Sequence, residues 1–76
     1  MIQELDRVVL ATDLQQYGLQ RGDIGTVILV HQQGAGYEVE FMTLDGQTVA
    51  VATLSASQVR PVQPGEIAHV RAVAVA

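Results

Sequence analysis

The chain has 76 residues, 49% of them hydrophobic and 16% charged, with no cysteine, no lysine and a net charge of −4. That length allows one domain, the Val-rich composition excludes disorder along the whole chain, and the missing thiols exclude disulfides and suit a reducing cytoplasm. The acidic balance disfavours nucleic acid and anionic lipid as partners, no apolar run approaches the roughly 20 residues that cross a bilayer, and Glu4, Asp6 and Asp13 are unlike the start of a signal peptide.

Residues 5–11 read as a first strand. Residues 12–23 are a polar stretch holding Gly18 and Gly22, a long loop with room for one helical turn at 14–17. Gly25 opens a second strand over residues 26–31, dense in β-branched side chains. Gly34 and Gly36 mark the turn that follows. Tyr37, Val39 and Phe41 then alternate with Glu38 and Glu40, the signature of a strand with one dry and one wet face. Leu44-Asp45-Gly46 fits a three-residue hairpin loop with glycine in the left-handed position. Carried straight on, that loop sets Phe41 opposite Val49 and Val39 opposite Val51, all inward, on a fourth strand over 48–53.

Residues 55–58 suggest a short 3₁₀ turn capped by Ser55 and Ser57. Residues 59–62 form a fifth strand, which Pro61 confines to an edge or a strand end. Pro64-Gly65 is a break. In residues 67–76, Ile67, His69, Arg71, Val73 and Val75 share one parity, so this segment reads as a sixth strand or as a frayed tail. The expected core is Val8, Leu10, Val27, Leu29, Val39, Phe41, Val49 and Val51.

Five short strands, a long first loop, tight later turns and one turn before the last strand are the order of an SH3-like barrel. The expected fold is therefore all-β: a small five-stranded SH3-like barrel over residues 1–62, with 63–76 as a C-terminal strand or tail. The runs Leu19-Gln20-Arg21-Gly22-Asp23-Ile24-Gly25-Thr26-Val27 and Tyr37-Glu38-Val39-Glu40-Phe41, with residues 54–61 and 64–71, resemble the short bacterial family catalogued as domain of unknown function 4926. These motifs are structural, so the resemblance implies a fold and no activity.

Chemistry-bearing residues are sparse. Gly18, Gly22 and Gly25 lack the spacing, the Lys-Ser/Thr and the following helix of a phosphate loop. His31 and His69 are too few for zinc, although one could pair with Glu38 or Glu40. Glu38 and Glu40 lie about 7 Å apart along a strand, a carboxylate spacing compatible with catalysis, but alternation alone explains both. Arg21 and Asp23 could form a local ion pair.

No catalytic, cofactor or metal residues are expected. The expected function is a non-catalytic protein–protein binding or assembly module in the bacterial cytoplasm, with a protein or a second copy as partner. Two alternatives stand beside it. One is a small accessory protein of immunity or antitoxin type, whose acidic charge suits a basic target. The other is an oligomeric enzyme with a site between subunits. The hairpin register above puts Ile28 and Val30 on the wet face with Glu38 and Glu40, so Ile28, Val30, Ile67 and Val70 are the candidate interface.

Overall fold

The computed structural model describes residues 1–74. Five antiparallel strands form one sheet: β1 (Arg7–Leu10), β2 (Ile24–His31), β3 (Gly36–Met42), β4 (Thr48–Ser55) and β5 (Val59–Pro61). Two 3₁₀ turns, Gln15–Tyr17 and Ala56–Gln58, interrupt them. The spatial order is β4-β3-β2-β1-β5, so β4 and β5 are the edges. Both contribute to the same core as the central strands, through Ala50, Ala52 and Leu54 on one side and Val59 on the other. With no α-helix among the described residues to cover that face, the sheet's own curl and the first loop bury Val8, Val27 and Val39 completely. The three-residue turn between β4 and β5 brings the two edges together at one end.

The long first loop is less polar in effect than in composition. Leu14 and Leu19 pair across its neck, with Leu14 N–H donating to Leu19 O at 2.9 Å. Both side chains are buried in the core and plug the sheet's open side. Around the Ala56–Gln58 turn, Gln58 Oε1 accepts the Ser55 N–H at 2.9 Å, and the Ser55 and Ser57 hydroxyls bond to each other.

Two β-bulges change the expected core. Tyr37, Val39 and Phe41 are buried as alternation requires, as are Val8, Leu10 and Val27. Leu29 and Val51, however, are exposed, and Val49 is half-buried. In β2 the register slips between Val27, opposite Val39, and Leu29, opposite Glu38. Ile28 is the extra residue, so Leu29 turns outward and Val30 comes round beside Tyr37, packed against the core. In β4 the loop reading holds, since Thr43 N–H donates to Gln47 O and Gly46 has φ +94°. The slip comes just after it. Met42 faces Thr48 but Phe41 faces Ala50, leaving Val49 as the inserted residue. The inward set is therefore Ala50, Ala52 and Leu54. A bulge of one residue exchanges the two faces of everything beyond it.

Residues 67–74 form no sixth strand. Val75, counted above with that segment, lies outside the described residues.

The β2–β3 turn carries a local misfit. Gln32 and Gln33 sit at φ +47° and +59°, while Gly34 N–H closes the turn on His31 O. Two consecutive positive φ values are the type I′ geometry that Asn-Gly adopts at little cost. Each non-glycine there is disfavoured by roughly 1–2 kcal/mol. Gln32→Asn combined with Gln33→Gly is expected to raise stability by about 1 kcal/mol, a shift of about 4–8 °C in Tm for a domain this small. Thermal unfolding followed by circular dichroism checks it.

Candidate functional site

The outward face of the sheet is ordered by strand register into cross-strand rows. One row reads Arg7, Thr26, Glu40, Val51, and the next Leu29, Glu38, Thr53. Its acids are engaged locally. Thr48 Oγ1 donates to Glu40 Oε2 at 2.7 Å. Thr53 Oγ1 reaches both Glu38 oxygens at 2.8 and 2.9 Å, and His31 Nε2 lies 2.6 Å from Glu38 Oε2. Hydrogen bonds from His31 and then Thr53 hold the Glu38 carboxyl below its ordinary range, against a smaller opposing effect of desolvation. A carboxylate so held is a structural acceptor and a poor proton donor. His31 thus pairs with Glu38, one of the two acids proposed for it. Among the described residues, no three His, Cys, Asp or Glu side chains are grouped to hold a metal ion.

Large apolar side chains remain uncovered on this face. Ile28, Leu29, Met42 and Val51 are each between 42% and 48% exposed. The candidate interface residues are not gathered into one patch. Ile28 is on the outer face, and Val30 lines a separate hollow by Ile2 and Gln33. Ile67 and Val70 belong to the tail, which borders Val9, Ile24 and Met42 at one end of the outer face.

That tail borders an open groove of about 890 Å³. Val9 and Ile24 from β1 and β2, Met42 and Leu44 from the β3–β4 hairpin, and Ile67 and Val70 line it. The tail is fixed at two points. Arg60 forks onto Glu66, with its two terminal nitrogens 2.9 and 2.6 Å from the carboxylate oxygens, and Glu66 also accepts the Gln63 N–H at 2.7 Å. Farther on, Arg71 pairs with Asp23, through Nε at 2.9 Å and its second nitrogen, and reaches Gly18 O at 3.2 Å. Asp23 therefore binds Arg71, and the local pair with Arg21 expected from sequence does not form. Arg21 instead donates its backbone N–H to Asp13. Nothing in the sequence pattern marks a contact spanning 48 positions.

The two anchors respond to acid. Burial works to raise the Asp23 carboxyl, but the Arg71 and Gln20 hydrogen bonds outweigh it and hold it low. Glu66 is pulled from 4.5 to about 2, first by the Arg60 hydrogen bonds and then by the Gln63 N–H. A carboxylate with a depressed folded value contributes fully above its ordinary value, and the contribution is lost as pH falls through the folded one. The Glu66 anchor should therefore hold at pH 4 and release toward pH 2. A ¹³C titration of the Glu66 carboxyl is expected to have its midpoint near 2. An ordinary carboxylate midpoint would mean that the Arg60 fork does not persist in solution.

No described helix is long and apolar enough to cross a membrane. A family model described as Domain of unknown function (DUF4926) matches residues 4–61, from the first turn to the end of β5. The stretch 64–71 lies beyond the match. No curated protein and no solved structure matches the chain.

Proposed function

The chain belongs to the DUF4926 family, and from that premise we propose that it is a non-catalytic protein-binding or assembly module of the bacterial cytoplasm, with another protein or a second copy as partner. The observation that carries this reading is the number of half-exposed apolar side chains, Ile28, Leu29, Met42 and Val51, spread over neighbouring cross-strand rows on the outer face of so small a sheet. Single exposed apolar residues are ordinary, but several on one face favour contact with another protein. The local use of Glu38 and Glu40 in cross-strand bonds supports a binding role over catalysis. The net charge of −4 and the absence of lysine favour a protein over nucleic acid.

The test is association. Light scattering after size exclusion, from low to high micromolar concentration, is expected to give a mass above 8.1 kDa, or a specific protein is expected to be retained from an extract of the native host. A chain that stays monomeric throughout and retains no protein overturns the proposal.

A further inference from the structure

The two edges of the sheet are built differently. β5 is three residues long, carries Arg60 and Pro61, and leads directly into the anchored tail. Short length, charge and proline are the devices that keep an edge strand from pairing with another chain. β4 has none of these. Its eight residues, Thr-Val-Ala-Val-Ala-Thr-Leu-Ser, include no charge and no proline.

The ladder fixes which backbone groups β4 leaves free. Ala56 N–H donates to Ala35 O, in the same register that sets Leu54 opposite Tyr37 and Ala52 opposite Val39. Antiparallel pairs alternate between bonded and non-bonded, so Leu54, Ala52 and Ala50 turn their N–H and C=O groups toward β3. Val51 and Thr53 then turn theirs toward the open side. Consistent with this, the Ser55 N–H is satisfied by the Gln58 side chain and not by β3. Val51 and Thr53 also direct their side chains to the outer face, beside Glu40 and Glu38.

We propose that β4 is a self-association edge, which pairs antiparallel with β4 of a second copy about a two-fold axis near Val51 and Thr53 to make one continuous ten-stranded sheet. This rests on the assembly reading above and names its surface and partner. The occupant is a second copy because the edge selects for nothing else. It offers no charge to recognise a foreign segment and none to repel itself, and a strand of the same length and alternation is its natural complement. The acids on β3 do not oppose the pairing. Glu40 of one copy and that of the other would stand three strand spacings apart, about 14 Å, beyond the roughly 8 Å screening length at physiological salt. The like net charges of the two copies act at longer range, so association should strengthen as salt is raised from 10 to 150 mM.

The experiment compares the full chain with Val51→Lys, Ile28→Lys and Gln15→Lys by light scattering and sedimentation, with amide hydrogen exchange at two concentrations. The wild type is expected to reach twice the 8.1 kDa of one chain. The Val51 and Thr53 amides should become protected as concentration rises. Val51→Lys brings like charges together across the pair and should weaken association at least about tenfold. Gln15→Lys, in the exposed 3₁₀ turn of the first loop, adds the same charge away from both the edge and the outer face and should leave it unchanged, and circular dichroism verifies that the variants fold. If Ile28→Lys abolishes association while Val51→Lys does not, the edge proposal fails and the assembly reading stands. If the wild type is monomeric but retains a different protein, the edge proposal fails again. If it is monomeric and retains nothing, both fail.

Discussion

Gly25→Val is expected to leave the domain unfolded, and Gly25→Ala to cost about 2–3 kcal/mol. Gly25 lies in β2 opposite Val8 on β1. A Cβ built there would stand 2.5 Å from Val39 Cγ1 and 2.8 Å from Phe41 Cε1. Those neighbours cannot retreat, because Val39 is fully buried and Phe41 is 2% exposed at the centre of the core. One methyl group must therefore displace the largest of the fully buried side chains among the described residues. Valine adds two more carbons, and a domain with about 5 kcal/mol of stability does not survive that. Gly46 is the control. Its φ is +94° with open space around it, so Gly46→Ala meets only backbone strain and should cost about 1 kcal/mol. Urea titration of the three variants checks the order. Equal losses at Gly25 and Gly46 for alanine would mean that β2 and β3 are not packed as described.

The demand at Gly25 was only partly legible in the sequence. Glycine before Thr26-Val27 marked the entry to a strand, but not that the strand passes over a phenylalanine. Strand positions in general could be read, because turn residues bound them and Tyr37-Glu38-Val39-Glu40-Phe41 alternates cleanly. The hairpin loop at Leu44-Asp45-Gly46 could be read for the same local reason. The faces of β2 and β4 could not. Val27-Ile28-Leu29-Val30 is apolar at every position, so period-two alternation has no phase to report there. In β4 the larger Val49 and Val51 suggested the inside, whereas the core takes the smaller Ala50 and Ala52 because Phe41 and Val39 fill the space opposite them. That is a demand of volume, and it depends on partners from another strand. The groove and the tail's anchors were hidden for a related reason, since Arg71 and Asp23 meet only once the sheet has brought them together.

The bulge at Val49 yields the second large effect. Ala52→Asp is expected to cost at least about 3 kcal/mol, while Val51→Asp, one residue away, should cost about 1 kcal/mol or less. Ala52 is 1% exposed and faces Val39, with Leu54 and Ala50 as its neighbours along the same side. A carboxylate there has no charged partner, since no charged side chain is buried among the described residues. It must either lose its charge or pull the strand open. Val51 is 47% exposed beside Glu40, so an acid in its place stays in water and loses only strand propensity and some like-charge repulsion. Without the bulge the ranking reverses, because the hairpin loop carried straight on would bury Val51 and expose Ala52. Chemical denaturation of both variants decides between the registers, at low-micromolar concentration so that self-association adds nothing. The same comparison bears on the β4 edge, because Val51 can present its backbone to a second copy only in the register where its side chain lies outside the core.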